Sequence, residues 1–291
     1  MAPSSPTVAR WELALRIKAR RVEGGVSVKT ITDHLGFSRN FWSAVENQRS
    51  LLADDKLERL LELLSFDTNT ADELRELARA SRQRGWLTEH ESGIEDEDLR
   101  RLYGLEAGAI GVRSYEVNLV TGLLQNEEYA NALISTDPAV SSVQVRQLLD
   151  IRMARQERFY SRKPAQLTAL MSQAALEQQT GGSNGPGVLR RQLCHLVDMK
   201  ERFRDAVDIR VLPFSAGMGG LVGASTFYLL DFSSSHLPTV AWQEIGLARG
   251  FVEDTKPHEH LLVSYLRALT LALSTEDSLS LIEQQADHLK A

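Results

Sequence analysis

Only one cysteine, Cys194, occurs in the 291 residues. An intrachain disulfide is therefore impossible, and a thiolate-rich zinc site is excluded. No uninterrupted apolar run approaches the roughly 18 residues a membrane helix needs. The most apolar stretch, 261–273, is broken by Ser264 and Arg267, which suits an amphipathic helix. No apolar leader segment follows the first seven residues. The sequence also lacks G-x-S-x-G, H-E-x-x-H and C-x-x-C. These absences predict a soluble, cytoplasmic chain with no membrane contact, no metal and no cofactor.

An overall excess of positive charge is missing too: the formal net charge is −6. The distribution qualifies that figure. Residues 8–49 carry eight Lys/Arg against four acids, a local excess of four positive charges. DNA affinity depends on the field at the phosphates, so a small basic face can suffice.

What is present is mostly helical pattern. A first helix is expected over about 8–23, with Trp11, Leu13, Ala14 and Ile17 inward and Gly24-Gly25 at its end. Ser27 is placed to cap a short helix ending near His34, and Ser38 to cap another over about 39–47. Gly36 sits between them, where a tight turn needs positive φ. Two further helices are expected over 54–64 and 70–81. From 82 to 98 the periodicity fades, which reads as a linker.

Beyond the linker, helical stretches (126–134, 141–161, 187–204, 256–273, 276–290) alternate with strand candidates (110–117, 166–171, 208–213, 225–232, 239–243) rich in Val, Ile, Tyr, Phe and Thr. The predicted class is α+β, mainly α: a five-helix domain over 1–82, a linker over 83–98, and a larger α+β domain over 99–291.

The segment Ser27–Arg49 carries the most information. Two short helices joined by a glycine turn, floored by their neighbours, leave the start of the second free to enter a major groove. Arg39 can donate a bidentate pair to guanine, and Asn40 can do the same with adenine.

Residues 8–66 resemble the Cro/repressor (XRE-type) helix-turn-helix family. The match includes Gly36, the apolar Ile31, Leu35, Trp42 and Val45, and the tail Val45-Glu46-Asn47-Gln48-Arg49, similar to the family ending I-E-N-G-[RK]. The resemblance implies a lambda-repressor-like fold that binds operator DNA as a homodimer. It implies base contacts from Arg39, Asn40 and Phe41. Phosphate contacts are implied or expected from Ser27, Lys29, Ser38, Ser43, Asn47 and Arg49, and a structural pair between Arg21 and Glu46. The sequence departs from the pattern at Val28, Ala44 and Gln48, where the family often has glutamine, a long polar residue and glycine.

Residues 83–284 resemble a domain that follows the helix-turn-helix in many actinobacterial regulators, known as a domain of unknown function and as antitoxins of toxin–antitoxin type. The matching stretches include Arg84-Gly85-Trp86, Tyr103-Gly104-Leu105-Glu106-Ala107, Tyr115-Glu116, Val120–Gln125, Arg152–Gln156 and Phe227–Phe232. Gln173 stands where relatives often have an acid. The resemblance implies a regulator with a small protein partner encoded nearby, and no catalytic residues.

Several features invite an enzyme reading and are weaker than they look. Gly217–Gly223 resembles a phosphate loop, but a strand is expected next, not a helix. His258-Glu259-His260 lacks the spacing that sets two imidazoles on one helix face. Cys194 reads as a small core residue beside a surface His195. Arg152, Arg155, Arg158 and Arg162 could hold an acidic partner or phosphates along one helix, or pair with local acids such as Asp150 and Glu157. Tyr115, Phe227, Tyr228 and Trp242 read as core or as pocket walls. The expected function is a DNA-binding transcriptional regulator, not an enzyme, with a C-terminal domain that senses a partner or ligand. The alternative is an antitoxin-like protein that sequesters a small partner and autoregulates its own operon.

Overall fold

The computed structural model describes residues 5–89, 93–161, 165–217, 221, 225–245 and 248–289. The chain forms two compact units, Met1–Thr88 with Ser234–Leu237, and Glu89–Ser233 with Pro238–Ala291.

The first unit holds α1 (Pro6–Glu23), α2 (Val28–Leu35), α3 (Arg39–Glu46), α4 (Asp54–Leu63) and α5 (Thr68–Ser81). Local chemistry sets the boundaries of the short helices. Ser27 Oγ accepts the Thr30 amide at 3.0 Å, and Ser38 Oγ accepts the Phe41 amide at 3.1 Å. Each thereby satisfies one of the donors a helix start leaves open. Gly36 closes α2 at φ +73°, a conformation that costs a Cβ-bearing residue about 1–2 kcal/mol. At the C-terminus of α2, Lys56 and Arg59 of α4 donate to the Leu35 and His34 carbonyls. Both cations lie where the helix dipole favours them. Ile17, Ile31, Leu35, Trp42, Leu60 and Leu74 form the core, each 2% exposed or less.

The second unit is built on a six-stranded mixed sheet. Its strands are β1 (Gly111–Glu116), β2 (Gln166–Ser172), β3 (Val207–Leu212), β4 (Thr226–Asp231), β5 (Val240–Ile245) and β6 (Ala248–Phe251). The order is β3-β2-β1-β4-β5-β6. β1, β2 and β3 run parallel, whereas β4, β5 and β6 join antiparallel. Helices α6 (Glu97–Glu106), α7 (Glu127–Ile134), α8 (Ser142–Tyr160), α9 (Gly185–Arg202), α10 (Thr255–Leu271) and α11 (Thr275–His288) complete it.

Side chains alternate across a strand, so the sheet has two distinct faces. On one face Tyr115, Leu170, Phe227 and Leu229 pack against Leu261, Tyr265 and Ala268 of α10. The other face carries Ser114 and Glu116 of β1, Thr226 and Tyr228 of β4, and Trp242 and Glu244 of β5. The α+β, mainly-α class expected from the sequence is observed.

Three expectations change. The span expected as a linker over 83–98 contains a 3-10 turn at Trp86–Glu89 and the start of α6, capped by Asp96 at the Asp98 and Leu99 amides. Gly104 inside α6 weakens its helical signature. β6 was not anticipated, because a four-residue edge strand with exposed Ala248 and Arg249 shows no alternation. On α9 the roles of two neighbours are reversed: Cys194 is exposed and His195 is half-buried. One residue turns a helix by about 100°, so these adjacent positions meet different surroundings.

Candidate functional site

Two places in the chain gather candidate functional side chains, one in each unit. In the first, Arg39 and Asn40 open α3, both exposed, while Trp42 and Val45 on the rear of the same helix are buried. Phe41 is half-buried and packs its ring at a tilt against Phe37, with centroids 4.5 Å apart. Packing against the core thus restrains the third residue expected at base edges.

Ser27, Lys29, Ser38, Ser43, Asn47 and Arg49 are all exposed. Some are already engaged. Lys29 pairs with Asp33 at 2.5 Å, and the Asn47 amide donates to the Ser43 carbonyl at 2.8 Å. Arg21 Nε donates to Glu46 Oε1 at 2.7 Å and ties the end of α1 to the end of α3, with both side chains mostly covered.

Much of the basic excess in 8–49 has internal partners. Arg16 reaches Glu73, Arg20 caps α4 at the Leu64 and Ser65 carbonyls, and Arg10 donates to the Ser81 carbonyl. Among the described residues, the side chains of Arg39 and Arg49 have no such partner.

In the second unit a cavity of about 420 Å³ lies over the sheet face that carries Glu116. Glu116 is 3% exposed. Tyr228 Oη donates to its Oε1 at 2.8 Å, and Thr226 Oγ1 donates to its Oε2 at 2.9 Å. Burial pushes the carboxyl up to about 7 against those two hydrogen bonds; Glu244 adds to the rise and Arg155 opposes it.

Arg155 enters from α8. It is buried and forms a bidentate pair with Glu106 of α6, at 2.6 and 2.5 Å, with its guanidinium 4.7 Å from the Tyr103 ring centroid. Burial works against its charge, but Glu106 more than compensates, so the guanidinium is held charged beyond its ordinary range. A Cβ at Gly122 would come to 3.1 Å from Arg155 Nη1, so glycine makes room for this pair.

The buried segment 120–125 threads past it. Its backbone carbonyls are met by amide side chains: Gln125 at Val120, Gln156 at Gly122 and Gln125, and Gln192 at Leu124. Buried carbonyls need such partners. Arg152 donates to Gln125 Oε1 at 2.6 Å.

The model of a family described as "Domain of unknown function (DUF5753)" matches residues 99–284, nearly two thirds of the chain. The chain belongs to the DUF5753 family. No curated protein and no solved structure matches it.

The DUF5753 domain collects the stretches quoted from its sequence around one cavity. Tyr103, Glu116, Gln125, Arg152, Arg155 and Tyr228 line it, and Glu106 pairs with Arg155 from outside the lining, although they span more than 120 residues of chain.

The row of open cations expected along α8 is corrected. Arg155 faces inward, and its acid is Glu106, 49 residues earlier, not Asp150 or Glu157. Arg152 is held by an amide, Arg158 is half-buried, and Arg162 lies outside the described residues. The helical period takes Arg155 to the buried side of α8.

The aromatic residues divide by sheet face: Tyr115 and Phe227 are core, Tyr228 lines the cavity, and Trp242 is fully buried. His258 Nε2 lies 2.9 Å from the Thr239 carbonyl oxygen. Most of Gly217–Gly223 lies outside the described residues, and the element that follows is β4. Among the described residues, no helix is long and apolar enough to cross a membrane.

Sequence reasoning assigned no role to Glu116, Thr226 or Glu244. Glu116 falls in the matching stretch Tyr115-Glu116 and Thr226 in the strand candidate 225–232; nothing singles out Glu244.

Proposed function

We propose that this protein is a sequence-specific, DNA-binding transcriptional regulator of the Cro/repressor helix-turn-helix type, acting in the cytoplasm, whose DUF5753 domain responds to a small ligand or partner. The observation that carries this reading is the division of α3. Arg39 and Asn40 stand exposed at its start while Trp42 and Val45 seal its rear into the core. A groove-reading helix needs that division: outward donors at its leading end and an apolar anchor behind.

Arg39 supplies a fork for guanine, and Asn40 a donor–acceptor pair for adenine. With Phe41 held against Phe37, direct base reading rests on the first two residues. The remaining specificity comes from DNA shape and from the spacing of half-sites under a homodimer. The open amides at the starts of α2 and α3, together with Arg49, hold the phosphates.

The test is to map the genomic DNA bound by the protein and to measure affinity for the recovered site and for a scrambled site. Tight, salt-sensitive binding that prefers the recovered site supports the proposal. Equal binding to both sites, or none, overturns it.

A further inference from the structure

The charges on the wall of the DUF5753 cavity do not balance. Its acids are Glu116, Asp137 and Glu244, and its cations are Arg152, Arg155 and Arg249. Two of those cations are already neutralised by acids outside the lining, Arg155 by Glu106 and Arg249 by Asp96 at 2.7 Å. Among the described residues none of the three lining acids forms an ion pair, so Arg152 alone stands against them.

Two of these acids lie on one face of the sheet with a single strand, β4, between them. Thr226 is paired in register with Glu244 of β5 and donates from its hydroxyl to Glu116 of β1. The carboxylates of Glu116 and Glu244 therefore flank one threonine on one face of the sheet. Glu244 is half-buried, and its Oε1 accepts from the Trp242 indole at 3.1 Å.

Holding two like charges close together, one buried and one half-buried and neither in an ion pair, is costly, and a positively charged guest would relieve that cost. A metal ion would find only two carboxylates and a hydroxyl here. Among the described residues no group of three or more His, Cys, Asp or Glu side chains could hold one. The lining also includes the apolar Leu99, Leu102, Leu133, Ile134 and Ile151. A cavity of about 420 Å³ falls within the range that accepts a small organic molecule.

We propose that this cavity binds a small organic cation, a protonated amine with an apolar body, whose ammonium group donates to Glu116 and Glu244 while its body lies against the leucine and isoleucine side chains. The inference deepens the responding role proposed for the DUF5753 domain and rests on that role only for its regulatory meaning. Binding is measured without DNA, so failure of the DNA reading and failure of this one are separate results.

The experiment is calorimetric titration of the full chain, at mildly alkaline pH, with hexylamine and 2-phenylethylamine. Each is compared with its neutral alcohol and with a carboxylate of similar size. The expected result is one site per chain, with at least one amine binding about tenfold or more tighter than its alcohol. Glu244→Gln and Glu116→Gln should each remove about that factor for the amine and leave the alcohol unchanged.

Thermal melts establish that the variants are folded. Should Glu116→Gln not fold, the half-buried Glu244→Gln decides alone. Absence of amine binding, equal or tighter binding of the alcohol or carboxylate, or amine binding unaffected by the glutamine substitutions overturns the proposal.

Discussion

Arg155 and Glu106 form a closed bidentate pair, with their side chains only 7% and 4% exposed. Breaking such a pair leaves one charge buried alone, which costs about 3–5 kcal/mol. Arg155→Ala and Glu106→Ala should each destabilise the DUF5753 domain by that order in denaturant unfolding. Replacing both together, Arg155→Met with Glu106→Leu, should recover most of the loss, because no unpaired charge remains. A single substitution costing under about 1 kcal/mol would refute the pair's structural weight.

Gln48 adopts φ +64°, in the left-handed region, at the position where the helix-turn-helix family ending has glycine. A Cβ there costs about 1–2 kcal/mol, and glycine's greater freedom in the unfolded chain takes back part of the gain. Gln48→Gly should therefore stabilise the first unit by up to about 1 kcal/mol, seen as a raised melting temperature. A lowered one would mean that the side-chain contacts of Gln48 outweigh its backbone strain.

Arg39 and Arg49 should fail differently on DNA. Arg39→Ala is expected to relax preference at one base pair by about 1–3 kcal/mol and to leave scrambled DNA nearly unaffected. Arg49→Ala should weaken both DNAs alike and flatten the slope of log affinity against log salt by about 0.9. Filter binding at several salt concentrations separates the two. Identical behaviour of the variants would remove the proposed division between reading and holding.

Glu116 links stability to pH. Its carboxyl titrates near 7 in the folded chain against an ordinary 4.5. Between those values the folded state keeps a proton that the unfolded state has released, so stability falls as pH rises through the window. The full effect is about 3 kcal/mol. Glu116→Gln cannot ionise, so its stability relative to the wild type should improve steadily from about pH 4 to about pH 8. Parallel stability curves for the two proteins would show that the carboxyl is not held protonated.

Cys194 is exposed on α9. One equivalent of a maleimide should therefore label the native chain without denaturant. Labelling that requires unfolding would contradict this placement.

The sequence by itself determined the elements whose causes are local. Ser27 and Ser38 announce helix starts because a hydroxyl can reach an amide three residues on, and Gly36 announces the turn because its backbone admits positive φ. The spacing of Ile31, Leu35, Trp42 and Val45 marks the buried side of α2 and α3, and five of six strands are legible from their composition. The short edge strand β6 and α6, with its internal glycine, were not, because their local patterns are weak. Only the tertiary structure decided the DUF5753 cavity. Arg155 of α8 meets Glu106 of α6 across 49 residues of chain, and Thr226 reaches Glu116, 110 residues away, because β4 returns antiparallel beside β1. Capping and periodicity act over a few residues, whereas a buried charge finds its partner through the order of strands in the sheet.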